Sequence, residues 1–186
     1  MTVWKSKDEF KTYLRHSVME NVKWHEGGNI VGGLYHVDFI AIRHGGNDDN
    51  WIFACKEKLV VGNIVPFEEW VTYDDVSRLF GAAFNVSIEF AENGMLMITG
   101  EDGKQECLQD DRKDKECVCG VLVCHRISDD TMKKFEKKVR LSFEKVAPGI
   151  YGLNGSIFGC RVCIMRVDEL EGLPQKTGKD TMLLSQ

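Results

Sequence analysis

The sequence predicts an α+β fold: a central antiparallel sheet of about six to seven strands flanked by an N-terminal and a C-terminal helix. Three observations predict it. Helical periodicity falls over residues 5–20 and again from Ser128 onward. Between them lie short apolar runs separated by Asn-Gly, Asp-Gly and charged turn signals. Each helix then has one apolar stripe to cover, and a sheet has two faces to offer.

The elements follow in order. Ser6-Lys7-Asp8-Glu9 reads as a capping box, with Phe10, Tyr13, Leu14 and Val18 on one helical face. Gly27-Gly28 and Gly32-Gly33 mark a break. Val37 to Ile42 contains only Asp38 as a polar residue, so this strand expects cover on both faces. A turn-rich loop, His44 to Asn50, leads to strands at Trp51–Cys55 and Leu59–Val65. Thr72 caps a short helix with Asp74 and Asp75 in its first turn and Val76, Leu79, Phe80 and Ala83 along one side. A meander follows: Val86–Phe90, a hairpin at Asn93-Gly94, Met95–Thr99, a second hairpin at Asp102-Gly103, and Lys104–Leu108. After a charged loop, Cys117 to His125 is apolar enough to need cover on both faces. Ser128 caps a long helix carrying Met132, Phe135, Val139, Phe143 and Val146, which Pro148-Gly149 stops. Ser156 to Val167 predicts one more strand, and Gln175 to Gln186 a polar end.

Composition narrows the function. With 186 residues, 43% hydrophobic and 28% charged, the chain expects one domain or one domain with an extension. No apolar run reaches the length of a membrane span, and the first 20 residues hold no secretory core. Seven cysteines without a leader predict reduced thiols in a cytoplasmic protein. A net charge of -5 and a pI of 5.6 speak against nucleic acid. No nucleophile elbow, phosphate loop or dinucleotide fingerprint is present, and Cys124-His125, as strand neighbours, point apart, so no enzyme is expected. Cys160-Arg161-Val162-Cys163, with Cys117 and Cys119, raises a metal reading. The commoner reading is buried free thiols, so no metal or cofactor is expected.

Several short segments are similar to those of one family. They are Met1-Thr2-Val3-Trp4, Asp38-Phe39-Ile40-Ala41, Asn50-Trp51-Ile52-Phe53-Ala54 and Val71-Thr72-Tyr73-Asp74-Asp75-Val76. Met95 to Gly103 and Cys119-Gly120-Val121-Leu122-Val123 followed by Ile127-Ser128-Asp129 complete the set. Together with the element order, they resemble profilin, the small actin-monomer-binding protein. The resemblance covers about residues 2–148 and implies a profilin-like domain over 1–148, with 149–186 as a C-terminal extension beyond where profilins normally end and Lys23 to Gly33 as an insert-like stretch relative to the family.

The resemblance implies a protein of the cytoplasm and cytoskeleton that binds monomeric actin and regulates its polymerisation. It implies an aromatic platform for proline-rich ligands from Trp4, Trp51 and Phe143. The departure at Lys7, where the family places a tyrosine, implies weakened binding, and the alternative is that both tryptophans are core residues. It also implies an actin face on the last helix, where Lys133, Lys134, Lys137 and Lys138 reverse the sign of an acidic chain. Such a patch suits an acidic protein or anionic phosphoinositides, the alternative being a solvated helix face. A second functional class stays open: a roadblock- or longin-type adaptor that dimerises or docks on a GTPase.

Overall fold

The computed structural model describes residues 12, 22–43, 50–55, 71–109, 118–124, 126–166 and 169. In chain order they form β1 (Val22–Ile30), β2 (Tyr35–Arg43), β3 (Asn50–Cys55), α1 (Tyr73–Asn93), β4 (Met95–Thr99) and β5 (Gln105–Gln109). Then come β6 (Val118–Cys124), α2 (Asp129–Val139), β7 (Phe143–Ala147), β8 (Ile150–Leu153) and β9 (Cys160–Arg166). The nine strands join one sheet in the order β5-β4-β1-β2-β3-β6-β9-β8-β7.

This corrects the predicted fold class. The sheet is mixed and wider than the antiparallel sheet of about six to seven strands expected from a profilin-like order. β3 pairs with β6, and β6 with β9, in parallel, while the flanking pairs are antiparallel. Both described helices sit between strands in the chain. The reason lies in β6. All seven of its residues are buried, and a continuous apolar run is the signature of a parallel strand covered on both faces. A parallel neighbour requires a long crossover, usually helical. The segment between β3 and β6 contains α1, and that between β6 and β9 contains α2.

Residues 150–166, read from the sequence as part of an extension, supply β8 and β9, and β9 lies between β6 and β8. The boundary drawn after residue 148 falls in the turn joining β7 to β8. The stretch read as an insert is β1, between β2 and β4. Its two glycines allow that close approach. A Cβ at Gly27 would collide with the Val37 carbonyl oxygen, and one at Gly28 with that of Thr99. The helix expected over 5–20 falls outside the described residues except for Thr12, and the strand expected over Leu59–Val65 falls outside them entirely.

The helix starts match expectation better than the helix ends. Thr72 caps α1 in a capping box: the Asp75 amide donates to Thr72 Oγ1 and the Thr72 amide to Asp75 Oδ2. The helix runs past Ala83 to Asn93, absorbing the strand expected at Val86–Phe90, because Val76, Leu79, Ala83 and Val86 continue one buried stripe. Asn93-Gly94 stops this helix instead of turning a hairpin, with Gly94 left-handed at φ 65°. Ser128 caps α2 as expected, accepting from the Thr131 amide at 3.2 Å. The predicted long C-terminal helix ends early, at Arg140 with φ 59°. Phe143–Ala147 instead pairs with β8 as β7, and Pro148-Gly149 becomes a hairpin turn. Tertiary pairing overrides the helical spacing of Phe143 and Val146.

One buried cluster unites both helices with Ile40, Ile52, Leu122 and Ile164 of the sheet. Phe53 is next to Ile52 and therefore points to the other face. There it stacks on Phe39 at 4.9 Å, with Trp24 at 5.5 Å. Both faces of the sheet's centre are thus buried.

Candidate functional site

α2 follows β6 through Ile127, whose bridge to Val71 and the Thr131 hydroxyl on the Val71 carbonyl tie the helix start to the α1 cap. Ser128 supplies the cap, and Asp129 and Asp130 favour the positive end of the dipole. Phe135 is the one fully buried residue of α2, packed among Phe80, Phe143 and Tyr73 at 5.9 to 6.5 Å. With that side down, Lys133, Lys134, Lys137 and Lys138 are all exposed.

The charge on that face is one-sided. Between residues 133 and 140 stand five cations and one carboxylate, Glu136. Glu136 is engaged, since its Oε1 accepts from the Phe143 amide at 2.6 Å. None of the four lysines has an ion pair among the described residues. Lys133 with Lys137, and Lys134 with Lys138, are like-charge pairs one turn apart, each costing about 0.2–0.5 kcal/mol. The helix dipole compensates Lys137 and Lys138 in the last turn but not the two lysines nearer the middle. Local helix energetics therefore do not favour the two lysines nearer the middle of α2.

Of the three residues expected to form the aromatic platform, only Phe143 has its side chain among the described residues. Trp4 lies outside them. Trp51 is on β3, where its backbone pairs with Ala41 and Cys119. Phe143 is on edge strand β7, with β6, β9 and β8 between it and β3. Its ring is half-buried against Phe135 and so helps hold α2.

The cysteine pair of the CxxC segment does not converge either. Cys160 and Cys163 are three apart on β9 and so face opposite sides. Burial pushes the Cys163 thiol up to about 12, with the Arg161 charge as a weaker opposing influence. Cys119, Cys124 and Cys160 are also buried. No group of three or more His, Cys, Asp or Glu among the described residues has metal-holding geometry.

Sequence reasoning missed a second charged feature. Where β1 and β2 diverge from the β4–β5 turn lies a cleft of about 710 Å³ bordered by Glu26, Asp38, Glu101, Asp102 and Glu106. The Lys104 ammonium, 2.7 Å away, holds the Asp102 carboxyl below its usual range. Glu106 Oε1 lies 2.9 Å from Nδ1 of the buried His25. These acids come from four separate segments, so no spacing in the sequence announces them.

In comparison with known proteins, the chain matches no family model, no curated protein and no solved structure. No helix among the described residues is long and apolar enough to cross a membrane.

Proposed function

We propose that the protein is a binding module that docks an acidic protein surface on Lys133, Lys134, Lys137 and Lys138. The observation that supports this reading is the exposed face of α2, where four lysines stand without ion pairs among the described residues on a helix anchored by Phe135. A protein partner is favoured over a membrane. An interfacial helix inserts its apolar face into lipid, but the apolar side of α2 is occupied by its own core. None of the large exposed apolar side chains belongs to α2.

Monomeric actin is the first partner to test. The profilin-like element order does not hold, so this choice rests on sign of charge and not on a shared fold. Binding of labelled actin monomers and of a polyglutamate peptide should weaken steeply with salt, because exposed charges act through a field that ions screen. Replacing Lys133, Lys134 and Lys137 with Glu should abolish both. Vesicles containing phosphoinositides form the contrasting arm. Capture by vesicles with no binding of either acidic probe would overturn the protein-docking reading.

A further inference from the structure

The sheet has two edges, and they are built differently. At one edge, β7 carries a register shift between Lys145 and Ala147, and the Lys145 ammonium is clasped by Glu169 at 3.1 Å. A bulge and a lysine are the usual guards against strand pairing. At the other edge, β5 is Gln105-Glu106-Cys107-Leu108-Gln109, with regular pairing to β4 and no proline, lysine or bulge. Four of its five residues are exposed.

The backbone direction of β5 follows from its turn. The Gly100 amide donates to the Lys104 carbonyl at 2.8 Å, and the Gly103 amide to the Gly100 carbonyl at 2.9 Å, with Gly103 at φ 76°. Gly100 and Lys104 therefore form a hydrogen-bonded pair. Such pairs alternate along an antiparallel ladder, so Glu106 and Leu108 bond inward to Ile98 and Leu96. The amides and carbonyls of Gln105, Cys107 and Gln109 point outward, away from β4.

We propose that this edge pairs with the β5 edge of a second copy, antiparallel and centred on Cys107, joining the two sheets. The sequence is self-complementary in that register. Cys107 faces Cys107, Gln105 faces Gln109, and Glu106 faces Leu108, so no like charges meet. The carboxylate of Glu106 is already held by His25 within its own molecule. The exposed face on either side is continuous and soft. Met95 is 39% and Met97 45% exposed, and Cys107 Sγ lies 3.7 Å from Met95 Sδ. A pairing of five-residue strands buries well under the roughly 1,200 Å² of a stable interface, so the association is weak and reversible. The dimer surface is separate from the lysine face, and the inference does not depend on that reading.

Chemical capture reads the register. In a Cys107→Ser background, Gln105→Cys in one preparation meets Gln109→Cys in another. Mixed, these thiols lie across the pair, roughly 5.5 Å apart at Cα and within disulfide reach. Alone, each preparation sets like positions roughly 13 Å apart along the strands. With diamide as oxidant, the mixture should form covalent dimer about tenfold faster than either variant alone. The Cys107→Ser parent gives the background from the other cysteines.

Carrying Cys107→Pro in place of Cys107→Ser should remove the advantage of the mixture while leaving the melting temperature close to that of the parent. The lost amide faces away from β4, and proline is tolerated at such an edge position. Equal rates for mixed and single variants, or an advantage that survives the proline, would overturn the pairing.

Discussion

β6 and α2 follow one another in the chain and could hardly be more different. Every residue of β6 is buried, whereas α2 fully buries only Phe135. In β6 each side chain is constrained by two covered faces, so its sequence reports on the fold. In α2 Phe135, with Met132 and Val139 half-buried beside it, satisfies the fold, and the exposed lysines form a surface whose charge opposes that of the chain.

The contrast can be broken from either side. The largest effect belongs to β6. Val121→Asp would place a carboxylate at a position with no exposure, costing several kcal/mol. The variant should fail to give a cooperative thermal transition, and a normal melt would mean that the centre of the sheet is less closed than described. Phe135→Ala comes next, at about 3–5 kcal/mol for a buried ring. Because that ring is the anchor of α2, acidic-probe binding should fall with it even at temperatures where the sheet stays folded by circular dichroism. Unchanged binding would show that the lysine face does not depend on helix docking. Thr72→Ala removes the α1 cap and should cost about 1 kcal/mol, read as a lowered denaturation midpoint with binding unaffected.

A smaller effect sharpens the picture at the β7 edge. Glu169 accepts from Tyr151 at 2.7 Å and from Lys145, and pairs with Arg166. Burial pushes its carboxyl up, but the hydrogen bonds from Tyr151 and Lys145, with the charge of Arg166, outweigh burial and hold it below its ordinary 4.5. A carboxyl depressed in the folded state contributes stability in full above that ordinary value and loses it as pH falls through the lower folded one. Wild type should therefore melt above Glu169→Gln at neutral pH, with the gap closing in acid below 4.5. A gap that persists there would show that the charge of Glu169 is not what matters.

What was legible in the sequence follows the same division. Local chemistry at helix starts was readable, because Thr72 with Asp75 and Ser128 with its two aspartates are satisfied within one turn. So was the Asp102-Gly103 hairpin, which closes through its own backbone. The buried run of β6 was recognised as covered on both faces, yet its parallel partners were not. Pairing with β3 and β9 depends on segments far away in the chain. Helix ends were misread where local periodicity and sheet pairing compete, as at Phe143–Ala147. The glycines of β1 looked like a break because their role, close approach to Val37 and Thr99, exists only after the sheet assembles. Of the candidate site, the lysines were legible as a helical pattern, while the acidic cleft was not, being gathered from segments with no common spacing.

The direct test of the docking surface is a binding titration of the Lys133→Glu, Lys134→Glu, Lys137→Glu variant beside wild type, using monomeric actin and polyglutamate at two salt concentrations. Exposed charges contribute within about ±0.5 kcal/mol each to folding, so the variant should melt close to wild type. Its binding to both probes should be lost, and the salt dependence seen with wild type should vanish. A folded triple variant that binds either probe as wild type does would contradict the assignment of this face.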